Sequence, residues 1–77
     1  MSLISIGFGN YINKDRVVAV VLPNSAPLKR LKEQLEAKGM VIDATQGRKT
    51  RALIFTDSGH LILSGISVET IAERMNK

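Results

Sequence analysis

Apolar and polar residues change their spacing several times along the chain, and the changes divide it into short elements. Leu3 to Gly7 reads as an opening strand, ended where Gly7, Gly9 and Asn10 interrupt it. After a polar bend at Asn13 to Asp15, Arg16 to Leu22 is almost wholly β-branched and apolar, the pattern of a strand buried on both faces. Pro23 closes it. Leu28, Leu31 and Leu35 then fall on one face of a helix predicted from Pro27 to Lys38, with Gly39 as its stop and charge on the opposite face.

Val41 to Thr45 and Thr50 to Thr56 predict two strands joined as a hairpin through Gln46-Gly47-Arg48-Lys49, with glycine where a positive φ is needed. Asp57-Ser58-Gly59 makes a second turn and His60 to Leu63 a further strand. Val68, Ile71, Ala72 and Met75 trace the apolar face of a closing helix capped by Ser67. The order is ββαβββα, a small α+β fold of about five strands and two helices in a single domain over residues 1–77. No repeat, low-complexity stretch or linker divides it.

Length and composition narrow the function. A chain of 77 residues buries a thin core, and with no cysteine it has neither disulfides nor a thiolate metal site to staple it. Self-association is the remaining staple, so a homo-oligomer is expected. His60 is the single histidine and the acids do not cluster as in a calcium loop, so neither a metal nor a cofactor is expected. The longest apolar run, Val17 to Leu22, falls far short of a membrane span, and the amino terminus lacks the regions of a signal peptide. The expected location is the cytoplasm, with no membrane partner. A net charge of +4 favours an anionic partner.

The densest cationic feature is Gly47-Arg48-Lys49-Thr50-Arg51, where no acid intervenes between Asp43 and Asp57. Guanidinium groups pair bidentately with phosphate, lysine adds a point charge, and Thr50 and the backbone amides near Gly47 can donate neutral hydrogen bonds. A solvated turn accounts for the same charges equally well. A second feature lies at the first helix, where Pro27 at the first helical position leaves Ala26 as the cap, a poor one. Lys29 and Arg30 then sit in or beside the first turn, against the helix dipole. A bound anion or an acidic neighbouring subunit would offset that placement; so would simple exposure to solvent. Arg16, after Lys14 and Asp15, stands at the mouth of the apolar strand, where an ion pair with Asp15 or Asp43 is its ordinary role.

Catalytic patterns are weaker. Gly7-Phe8-Gly9 lacks the third glycine and the following helix of a dinucleotide turn, and a bend explains it better, with Asn10 tolerating a positive φ. Asp57, Ser58 and His60 are the residue types of a triad, but all lie within four positions of one turn. His60 is expected to be a half-buried strand residue, no catalytic residue is assigned, and there is no positive case for an enzyme.

Among nucleic acids, the composition argues against a binder that stacks single-stranded bases. Phe8, Tyr11 and Phe55 are the whole aromatic complement, with Phe55 expected to be buried, too few for a binder that stacks single-stranded bases. No helix-turn-helix is legible, because the strands separate the two helices. A basic loop implies contacts to the phosphate backbone, which give affinity with little sequence discrimination, so a regulator built this way needs many copies of the loop.

Ile6-Gly7-Phe8-Gly9-Asn10, Arg16, Ser25-Ala26-Pro27 with Lys29-Arg30, Ile42-Asp43-Ala44-Thr45, Gly47-Arg48 and Thr50-Arg51-Ala52 together resemble the RemA-type extracellular matrix regulators, over nearly the whole chain. The resemblance implies a cytoplasmic bacterial transcriptional regulator that binds DNA as a closed, ring-like homo-oligomer and activates biofilm-matrix genes. By position, Arg16, Arg48 and the residue after it match the family's DNA-contacting positions, and Pro27 matches one important for function. Lys49 stands where the family has a second arginine, which keeps the charge and loses the bidentate fork. Arg51 extends the same basic segment. The competing reading from another class is a self-assembling interaction scaffold whose charge is incidental.

Overall fold

The computed structural model describes residues 2–77. It has the expected α+β class and element order, with one more strand near the start. That strand, β2 (Asn10–Asn13), pairs antiparallel with β1 (Leu3–Gly7) around the turn Gly7-Phe8-Gly9. All three turn residues have positive φ, including Phe8 at 58°, whereas Asn10 works through its side chain. Its Nδ2 donates to Gly7 O at 3.0 Å and to Ala44 O at 3.2 Å, tying the hairpin to the main sheet. With four residues and asparagine at both ends, β2 carries too short a pattern to register as a strand.

The main sheet has the order β3-β5-β6-β4, formed by β3 (Val17–Val21), β5 (Ala52–Thr56), β6 (Leu61–Ser64) and β4 (Val41–Ala44). Only β4 and β6 run parallel. Alternation sorts the side chains cleanly between two faces. Leu53, Leu61 and Leu63 pack under Leu28 and Leu35 of α1 (Ala26–Ala37). Ala52, Ile54 and Ile62 face the opposite layer, where Ile4, Ile6 and Ile12 of the hairpin meet Ile71 of α2 (Val68–Met75). Helix, sheet and a mixed layer of hairpin and helix thus enclose two small apolar clusters.

Several sequence expectations are corrected. The predicted β4–β5 hairpin does not form, because β6, buried at all four positions, lies between them and pairs with both. The most apolar strand takes the centre, and the 45–51 segment becomes a crossing loop over the end of β6. β3 is not buried on both faces: it is an edge strand with a register shift between Val17 and Ala19, and Val18 is 69% exposed. Phe55 is half-buried, its ring on the face that α1 covers. The cap of α1 is Ser25, whose Oγ accepts the Leu28 N–H at 3.2 Å; Ala26 enters the helix and Pro27 follows it inside the first turn. A serine one residue upstream satisfies an orphan amide that Ala26 cannot, so the capping rule is kept, while Lys29 and Arg30 still follow a first turn that holds no acid.

The carboxyl end of α1 and the cap of α2 behave as expected. At Gly39, φ is 71°; its amide donates to Glu36 O and that of Met40 to Leu35 O, the hydrogen-bond pair of a glycine-terminated helix. Ser67 caps α2 through the Thr70 amide, and Lys14 Nζ donates to Met75 O and Lys77 O at its far end, where a cation suits the dipole. Among the described residues no helix is long and apolar enough to cross a membrane.

Candidate nucleic-acid interface

The 45–51 loop is held at both ends and bent by backbone conformation. Thr45, buried, donates its hydroxyl to Asp43 Oδ1 at 2.7 Å and its amide to the same oxygen at 2.9 Å. Those two bonds, helped by Lys32, hold the Asp43 carboxyl below the usual aspartate range despite a small opposing effect of burial. Gln46 and Gly47 then both take positive φ, at 54° and 80°, and the Arg48 amide returns to Thr45 O at 3.0 Å. Two successive left-handed residues reverse the chain. At the exit, the Arg51 amide donates to Ser64 O at 2.8 Å, so the loop closes onto the end of β6.

This anchoring leaves Arg48, Lys49 and Arg51 exposed with Thr50 half-buried between them. None has a carboxylate within ion-pair distance among the described residues. Arg48 instead stacks on an aromatic face: its guanidinium carbon lies 3.8 Å from the centroid of the Phe8 ring. The ring is itself wedged: a Cβ on Gly65 would come within 2.9 Å of Phe8 Cε2, and one on Gly7 within 2.5 Å of the Ile66 side chain. The hairpin tip, the 65–66 turn and the basic loop therefore form one platform at the end of the sheet. Phe8 is the member that sequence reasoning missed; two glycines flanking an aromatic were its only local signal.

The other sequence candidates divide between the two ends of the sheet. Lys29 shares a cavity wall with Lys49 and Thr50 at the loop end. Pro27 and Arg30 lie exposed on the same helix. Arg16 stands at the opposite end, since Val17 pairs with Thr56 while Val21 pairs with Leu53. Its Nε donates to both carboxylate oxygens of Asp57 at 2.9 Å, rather than to Asp15 or Asp43. Both groups are well exposed, so the pair is solvent-screened. Folding of the single chain thus does not bring Arg16 to Arg48.

The Asp57 turn also settles the triad types. Ser58 Oγ lies 2.8 Å from His60 Nδ1 and 2.8 Å from Thr56 Oγ1, while the Asp57 carboxylate turns to Arg16. Serine and histidine meet, but the acid that would orient the ring points elsewhere. His60 is half-buried just before β6.

Against known proteins, the model of the family described as extracellular matrix regulatory protein A-like matches residues 3–75. The chain belongs to the RemA-like family. Among its relatives, a protein of Pseudothermotoga lettingae is 61% identical over 75 residues, 97% of this chain and 82% of that protein. One of Fervidobacterium nodosum is 64% identical over 72 residues, covering 94% and 77%, and one of Acetivibrio thermocellus is 54% identical over 76, covering 99% and 82%. All three carry the name "Putative regulatory protein". The RemA-like description and these names agree on a regulatory role.

Proposed function

We propose that this RemA-like chain is a cytoplasmic, oligomeric regulator of extracellular-matrix genes that binds duplex DNA by its phosphates through Arg48, Lys49 and Arg51. The observation that carries the reading is the unneutralised basic loop whose leading arginine is pre-oriented on Phe8. Three cations without acid partners favour a polyanion, and a stacked guanidinium keeps its hydrogen-bonding edge outward for a phosphate. The loop crosses between non-adjacent strands and is anchored at Thr45 and Arg51, which makes it a stiffer presenter of charge than a hairpin tip.

A single loop offers few contacts, and backbone contacts discriminate little between sequences, so the reading requires several copies on one duplex. The surface favours such an assembly. The main sheet has two unpaired edges, and Val18 and Leu22 on one side and Ile42 on the other are at least half exposed. A head-to-tail arrangement joining unlike edges closes into a ring when its rotation permits. In that arrangement Arg16 reaches a basic loop only as a neighbour's residue, which makes its contribution dependent on assembly. The same edges support a scaffold that assembles without DNA, and the salt titration separates the two.

Fluorescence anisotropy of a labelled duplex is the test, with oligomer mass measured in the same buffers. Affinity is expected to fall steeply with salt, and Arg48→Ala to lower the logarithmic salt slope by about 0.9 for each loop on the duplex, at unchanged mass. Equally poor binding by wild type and Arg48→Ala would overturn the DNA reading and leave the scaffold, and equally tight binding would overturn the loop as the contact site.

A further inference from the structure

Between the first turns of α1 and the basic loop lies a cavity of about 380 Å³ with an apolar floor of Leu28 and Leu53. Lys29, Lys32 and Lys49 line it, with Thr50 beside them. Its size and build, a greasy base with a few convergent polar groups, are those of a small-molecule site. Charge specifies the class of molecule. Glu33 is the one carboxylate on the wall, and no ion pair joins it to any of the three lysines among the described residues. Three ammonium groups against one acid leave the site net positive, and Lys32 is half-buried rather than free in solvent. Asp43, on whose carboxyl Lys32 acts at a distance, already accepts two hydrogen bonds from Thr45.

We propose that this cavity binds a small organic phosphate, with the phosphate on Lys29, Lys32 and Lys49 and the carbon body on Leu28 and Leu53, and that occupancy withdraws Lys49 from DNA. Lysines suit this task as flexible point charges that converge on one dianion, and the Thr50 hydroxyl supplies a neutral donor. A duplex phosphate is a poorer fit, since it is flanked by sugars on an outer rail and brings no apolar group to Leu53. Because Lys49 belongs to both sites, ligand and DNA compete for the same charge, and each weakens the other by the same factor. The coupling rests on the DNA-binding reading; the pocket itself does not.

The test uses the full chain in thermal unfolding followed by circular dichroism, at one protein concentration and constant ionic strength set with chloride. AMP, glycerol phosphate and inorganic phosphate are the probes. A saturable rise in melting temperature is expected with the organic phosphates, exceeding that of inorganic phosphate at equal concentration. The rise is lost in Lys32→Ala and kept in Arg48→Ala. No saturable rise with any probe overturns the pocket, and so does an equal rise in Lys32→Ala. A changed oligomer mass in Lys32→Ala also overturns it, because the lysines would then be meeting an acidic surface of a second copy. Should that variant fail to fold, amide shifts of the wild type under AMP must cluster at Lys29, Lys32, Lys49 and Thr50; dispersed shifts refute the site.

For the coupling, saturating AMP should weaken DNA binding of the wild type by at least about threefold and leave that of Lys32→Ala unchanged. Lys32→Ala without ligand should bind DNA within about twofold of wild type, because its one charge lies off the DNA-facing loop. A loss as large as that of Arg48→Ala would show that the pocket takes a backbone phosphate, against the proposal. If the wild type binds no DNA while AMP still stabilises it saturably, the regulatory reading fails and the pocket stands.

Discussion

Replacing Phe8 with leucine isolates what the ring contributes to the basic loop. Phe8→Leu keeps an apolar side chain over Gly65 and leaves every charge in place, but removes the π face on which Arg48 rests. The ring is 39% exposed, so the stacking is partly solvated and worth about 0.5–1 kcal/mol. Released from the ring, Arg48 must be ordered at the moment of binding, and immobilising such a side chain costs about 0.5–1.5 kcal/mol. A penalty of about 0.5–1 kcal/mol corresponds to a two- to fivefold loss of affinity for each loop on the duplex. The salt slope should not move, because the number of cations meeting phosphates is unchanged. Arg48→Ala, by contrast, lowers affinity and slope together. The assay is duplex anisotropy across a salt series, with oligomer mass as a control. Unchanged affinity for Phe8→Leu would refute pre-orientation, and a reduced slope would show that Phe8 positions more than one cation.

Three further outcomes follow from the fold. Gly7→Ala meets both a positive φ of 98° and the Ile66 side chain at 2.5 Å, whereas Gly47→Ala, at φ 80°, meets open space. The second should cost about 1–2 kcal/mol and the first about 2–5, at roughly 4–8 °C of melting temperature per kcal/mol. Equal melting temperatures at matched protein concentration would refute the packing argument at Gly7. Ser25→Ala removes the α1 cap and should cost about 1 kcal/mol, read as a lower urea midpoint; no change would mean that water replaces the hydroxyl at no cost. Asp43 titrates below its unfolded value, so its contribution to stability is present above about pH 4 and is lost as pH falls through the depressed value. Thr45→Val removes the largest cause, and carbon-detected NMR should then show the Asp43 carboxyl titrating at higher pH.

Spacing along the chain revealed which residues share a face. Leu53, Leu61 and Leu63 on one side of the sheet and Ile54 and Ile62 on the other follow from alternation, and the glycine stop at Gly39 from its residue type; of the leucine stripe expected on α1, Leu28 and Leu35 pack on the sheet while Leu31 is 37% exposed. The basic segment from Arg48 to Arg51 was equally plain, because charge without intervening acid is a property of sequence.

What alternation does not encode is which strand lies beside which. β4 and β5 have the loop length of a hairpin, and local rules join them; β6 displaces that pairing because a strand apolar on both faces gains most from the centre of the sheet. The same limit applies to the site. Arg48 finds Phe8 and Arg16 finds Asp57 across about forty residues of chain, so no local pattern could have joined them. The sequence by itself determined every element except β2, the apolar faces of most of them and the stock of basic residues. Only the tertiary structure decided that the hairpin tip supports the loop, that Lys29, Lys32 and Lys49 converge over Leu53, and that Arg16 lies at the far end, because these depend on strand order and on which ends the packing brings together.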